Sequence, residues 1–159
     1  MIGANCCLLV VEERSNIIGT MNTTEEIVAA LNAIKSLATI GQKHIKGFHD
    51  YITKNLNEHC HFIDEDVNPN CVDVSIYGLH LRTRVEIGYE GGRVKSAEIK
   101  AYLVSCDGKI ETLIYTLPYD TRMRIYDEGA KTEIPADMYP RLIFGKIFGE
   151  GGKALFKPC

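Results

Sequence analysis

The densest run of groups able to hold a metal is His59-Cys60-His61, followed by Asp64, Glu65, Asp66 and Cys71. Two histidines one residue apart share a face only in extended backbone. With a nearby carboxylate, such a pair would suit a divalent ion carrying an activated water, the chemistry of a hydrolase. The plainer account is a histidine-bearing helix end, favourable to the helix dipole, that leads into an acidic loop. Cys60 is a poor candidate nucleophile, because its sequence neighbours supply no aligned base and orienting group.

Asp73, Glu98 and Lys100 follow an order that resembles the Asp then Glu-x-Lys pattern of metal-dependent nucleases. Glu98 and Lys100 share a strand face, as phosphodiester cleavage would require. In that nuclease core a helix follows the Glu-x-Lys strand, whereas Asp107-Gly108 here turns the chain into another strand. A charged pair on an exposed strand is the stronger account of them. Asp73-Val74-Ser75-Ile76-Tyr77-Gly78 resembles the D-x-S-x-x-G stretch of PilZ domains, which bind a cyclic dinucleotide. The upstream R-x-x-x-R of that family has no counterpart, since no arginine lies between Arg14 and Arg82. The six residues also read as a strand ending in a turn, and no family is assigned from them. Gly149-Glu150-Gly151-Gly152-Lys153 lacks the spacing and the following Ser or Thr of a phosphate loop. No metal and no cofactor are expected from these patterns.

A basic and aromatic set is the remaining candidate. Arg82, Arg84, Lys100, Tyr102, Arg122, Arg124 and Tyr126, with His80 and Tyr77, are expected on the face of a sheet turned away from the core. Such a face can stack bases and hold phosphates, so an anionic small molecule, a nucleotide or a nucleic acid is the ligand class it would take. Glu86, Glu90 and Glu98 dilute its charge. A solvated sheet face with snorkelling arginines is the competing account.

These side chains have to be positioned by an α+β domain. Thr23-Thr24-Glu25-Glu26 forms a capping box. Ile27, Leu31, Ile34 and Ala38 mark a helical stripe that Ile45, Phe48, Ile52 and Leu56 continue in phase. Gly41 is expected to break this run into a pair of packed helices. The alternative is one long helix that projects and is covered by another subunit. Residues 59–69 read as a polar connector. Val72, Val74 and Ile76 begin an antiparallel meander of about five strands, and Gly78 bends the chain into a central hairpin built from residues 79–90 and 93–106.

Alternation fixes the register of that hairpin, because a slip of one residue would exchange its faces. A three-residue loop, Gly91-Gly92-Arg93, sets Val85 opposite Ile99 and Leu81 opposite Leu103. Glu86 then faces Glu98, and Arg84 faces Lys100, with opposite charges on the diagonals. A two-residue turn at Asp107-Gly108 would pair Leu103 with Thr112, Ala101 with Ile114 and Ile99 with Thr116. It would also gather Tyr102, Val104, Leu113, Tyr115 and Leu117 on the outer face, a patch that something should cover. Residues 121–127 read as a last strand, and Met138, Tyr139, Leu142, Ile143 and Phe148 as the packing face of a short C-terminal helix.

Composition sets outer limits. A chain of 159 residues with net charge −3 can bury a core without staples, and offers no whole-molecule argument for nucleic acid. Residues 1–70 carry five Lys and Arg against nine Asp and Glu, so any anion site must be local. Six scattered cysteines without a C-x-x-C lead to an expectation of reduced thiols and a cytoplasmic location. The apolar run at residues 6–11 is too short to span a membrane. Residues 1–20 are read as a leader or an edge strand, and 21–159 as a single domain. The function these features favour is a non-enzymatic binding or accessory protein. It is expected to form a homo-oligomer, with an anionic ligand or a protein partner on its sheet face. The alternative is a metal-dependent hydrolase or phosphodiesterase using His59 and His61 with nearby carboxylates, or Asp73, Glu98 and Lys100.

Overall fold

A computed structural model describes residues 23–64, 66, 68–127, 132–149 and 152. The expected leader at residues 1–20 lies outside the described residues. The first element is a single helix, α1 (Thr24–Asn55), of 32 residues, about 48 Å long at 1.5 Å per residue. Thr23 caps it as its position promised, its hydroxyl accepting a hydrogen bond from the Glu26 amide at 3.2 Å. The expected break at Gly41 does not occur. A Cβ there would stand 2.6 Å from the Tyr119 hydroxyl and 2.7 Å from the Val85 methyls. The glycine therefore lets an unbroken helix lie close on the sheet, and that close approach is what the gap in the apolar stripe records.

Five strands form an antiparallel meander in sequential order. They are β1 (His61–Phe62), β2 (Cys71–Ile76), β3 (Leu79–Glu90), β4 (Arg93–Val104) and β5 (Glu111–Pro118). The hairpin between β2 and β3 turns through Tyr77 and Gly78, both at positive φ, which suits a tight two-residue turn. In the central hairpin Val85 faces Ile99 and Leu81 faces Leu103, as alternation requires. The loop differs from expectation. Glu90 pairs with Arg93 across a two-residue Gly91-Gly92 turn, and an irregularity beside Gly88 and Tyr89 takes up the extra residue.

The β4–β5 pair carries a second irregularity, between Ala101 and Tyr102. Leu103 faces Thr112 as expected, but Ala101 then faces Tyr115 and Ile99 faces Leu117. The bulge inserts one residue and inverts the alternation of the rest of β5. Leu117 is consequently buried in the core, and Tyr115 packs against it. The expected five-membered apolar patch on the outer face is thus reduced to Tyr102, Val104 and Leu113, of which only Leu113 is exposed. The expected last strand at 121–127 is a turn followed by a short two-stranded sheet, β6 (Ile125–Tyr126) with β7 (Glu133–Ile134).

The core lies between one sheet face and the C-terminal half of α1. Ile45, Phe48 and Ile52 of the helix meet Val74, Leu81, Ile99 and Leu117 of the sheet, all essentially sealed from solvent. Each such side chain contributes about 1.5–3 kcal/mol on burial. The second helix, α2 (Tyr139–Phe148), closes the assembly. Tyr139 and Ile143 are buried, and the Phe144 ring stacks on Phe48. No helix among the described residues is long and apolar enough to cross a membrane.

Only the second half of α1 has this cover. From Thr24 to Ser36 no residue is buried, and burial begins at Leu37. Ile27, Val28 and Leu31 are 45%, 48% and 58% exposed. Ile27 and Leu31 prolong the stripe that seats the rest of the helix, past the point where the sheet ends beneath it.

Candidate functional site

The outer sheet face carries one connected chain of charges. Asp73 on β2 accepts hydrogen bonds from His80 at 2.6 Å and from Arg82 at 2.8 Å. Arg82 reaches on to Glu111 of β5 at 2.6 Å, and Arg84 meets the same carboxylate at 2.9 Å. Arg84 also donates to Glu86 at 2.8 Å and lies over the Tyr102 ring, 4.4 Å from its centre. Glu86 accepts from the Tyr102 hydroxyl and from Lys100 at 2.9 Å, and Lys100 also meets Glu98 at 3.2 Å. The expected like-charge register between Glu86 and Glu98 is present, and the Glu86–Lys100 diagonal relieves it. These side chains are 3% to 24% exposed.

Burial alone would raise the Asp73 and Glu86 carboxyls. Donors outweigh it in both cases, His80 and Arg82 for Asp73, and Tyr102, Lys100 and Arg84 for Glu86, so both are held below the ordinary range. Burial, and then the Glu86 carboxylate, push the Tyr102 phenol up to about 12. Three permanent cations are therefore matched by four carboxylates, and each cation is already bound.

Arg122, Arg124 and Tyr126 are not part of that chain. They belong to the turn after β5, where Asp120 gathers the Arg122 and Arg124 amides, the Arg124 guanidinium at 2.7 Å and the Tyr126 hydroxyl at 3.1 Å. Burial is the largest single influence and would raise the Asp120 carboxyl, but those donors together outweigh it and hold it down to about 2. The expected basic set is thus split between a neutralised sheet network and a self-contained turn. Glu111, which joins Arg82 to Arg84, drew no attention in the sequence, because it sits on a different strand about 27 residues away.

Among the described residues, those considered for metal chemistry do not converge, and Glu65 lies outside them. The His59 ring bonds the Tyr77 hydroxyl, and His61 is exposed on β1. Asp73 is level with Tyr102, two strands across and four positions from Glu98, a separation of roughly 16 Å at ordinary sheet spacings. Among the described residues no group of three or more His, Cys, Asp or Glu is placed to hold a metal ion.

A cleft of about 780 Å³ lies instead between α1, the β1–β2 edge and Asp64, Asp66, Asn68 and Pro69. Ile45, Val72 and Phe62 line it, and the Phe62 ring lies flat on His49, with centres 4.1 Å apart and planes 12° from parallel. Gln42 bridges to Asn70 at 3.0 Å across one end. Lys46 at the rim is paired with Asp50 at 2.8 Å. Lys43, Asp64 and Asp66 also line the cleft, and among the described residues none of their side chains takes part in an ion pair or hydrogen bond. No single stretch of sequence could reveal this cleft, since its walls come from segments brought together by folding.

No protein-family model matches this chain, and no curated protein or solved structure is significantly similar to it. Function has to be argued from the geometry.

Cysteine chemistry departs from expectation. Cys71 and Cys106 are each disulfide-bonded, while Cys60 is free and buried. Cys71 is level with Arg84 and Lys100, six positions short of Cys106. That is roughly 20 Å along a strand, whereas a disulfide needs Cα atoms within about 7 Å. The two therefore do not bond one another. The expectation of reduced thiols is corrected, and with it the ground for a cytoplasmic location.

Proposed function

We propose that this protein is a non-enzymatic binding protein that associates with a second copy of itself through the free half of α1. The observation that carries this is the stripe of Ile27 and Leu31, flanked by Val28. It runs in phase with the core-facing residues of the same helix but has no sheet beneath it. Pairing these residues with their counterparts would withdraw three large apolar side chains from water, each contributing up to about 1.5–3 kcal/mol. The sheet face is a weaker contact surface than its arginines suggested, because each of its cations is satisfied internally. A nucleotide or nucleic acid would have to displace a carboxylate already in place. The two disulfides support an oxidising compartment over the cytosol.

Light scattering on the full chain tests the association. The native protein should have the mass of a dimer or larger at high micromolar concentration. Ile27→Glu with Leu31→Glu should leave a monomer whose Tm matches that of the native protein diluted until it is monomeric, since neither residue packs in the core. A monomeric native protein, or a double variant that still associates, would remove the basis of this reading.

A further inference from the structure

We infer that the cleft between α1 and the β1–β2 edge binds an amphipathic organic cation, an apolar body carrying an ammonium group. This does not rest on self-association, which concerns the other end of α1. Its volume of about 780 Å³ falls within the roughly 300–1,000 Å³ of small-molecule sites. Ile45 and Val72 back the cleft but are sealed in the core, and the apolar surface open to a ligand is the half-buried His49–Phe62 ring pair. A flat or aliphatic body would gain contact with these rings without displacing a polar partner.

The rim decides the sign of the ligand. Lys46 is neutralised by Asp50, and Asp73 is engaged by His80 and Arg82 on the sheet's other face. Of the groups left, Asp64 and Asp66 come from the segment after β1 and Lys43 from the helix. Among the described lining residues, two unpaired carboxylates against one unpaired ammonium give a net negative charge, which favours a positive group on the entering molecule. Both carboxylates are exposed, so they select between ligands, while contact with the His49–Phe62 rings supplies most of the affinity.

Three probes with one body and different charges separate these contributions: tryptamine, indole and indole-3-acetate. The chain contains no tryptophan, so indole fluorescence reports the probe alone. At low salt tryptamine should bind about fivefold more tightly than indole, the upper end for exposed charge pairs, and indole-3-acetate no more tightly than indole. Asp64→Asn with Asp66→Asn should bring tryptamine to the level of indole and leave indole unchanged. The His49 ring resonances should shift with tryptamine and with indole, which places the body against the His49–Phe62 wall. Absence of binding by all three probes would overturn the inference. So would tighter binding of the acetate, a tryptamine advantage that survives the double substitution, or unmoved His49 resonances.

Discussion

His44 is a titratable side chain sealed among aromatic rings. It is 3% exposed, its Nε2 has no hydrogen-bond partner among the described residues, and the Tyr119 and Tyr139 rings stand edge-on at 5.6 and 6.0 Å. Burial lowers its pKa below the ordinary 6.5, so the folded protein holds it neutral. Between that lowered value and 6.5 the unfolded chain binds the extra proton, so stability rises with pH across the window and is lost as pH falls through it. Denaturant titrations at pH 7.5 and at successively lower pH should show this loss. His44→Phe should flatten the part of it that begins near pH 6.5, and a profile the same in both proteins would show that His44 is not its source. Below the ordinary carboxylate range a second loss should follow as Asp73 and Glu86 protonate and their donors are left buried. At this scale the sequence was legible where neighbours interact on one hairpin, as with Glu86 and Lys100. It was opaque where a partner such as Glu111 comes from another strand.

Among the elements, α1 and the bulge in the β4–β5 pair settle most of the architecture. The apolar stripe of α1 was readable from its spacing, and the strands from their alternation. The missing apolar residue at position 41 was read as a break, because spacing cannot distinguish a flexible point from a point of close contact. Gly41→Ala tests that distinction. A methyl group would meet the Tyr119 hydroxyl and Val85 at under 3 Å, and the Tyr119 hydroxyl is itself tied to the Leu37 carbonyl at 2.7 Å. The substitution should destabilise the protein by about 1–3 kcal/mol through overpacking, although alanine is the better helix former by about 1 kcal/mol. Equal or greater stability in urea unfolding would mean the helix has room to shift. The bulge was invisible for a related reason. A single inserted residue is not marked in sequence, yet it turned Tyr115 and Leu117 from the outer face to the core.

For the whole molecule, covalent state is the boldest departure from composition. Denatured protein treated with iodoacetamide in the absence of reductant should be labelled at Cys60 and left unlabelled at Cys71 and Cys106, which should label only after reduction. Labelling of either without reductant would remove the case for an oxidising compartment. Reduction should also lower Tm, since a native disulfide contributes about 2–4 kcal/mol. By itself the sequence determined the class of fold, the helix cap, the hairpin register and the reach of the apolar stripe, all consequences of periodicity and local hydrogen bonding. Tertiary structure alone decided that Gly41 is a contact, that the arginines are already paired, that a cleft opens beside β1, and which cysteines are joined. Those depend on which distant residues meet, and distance in space is not written into order along the chain.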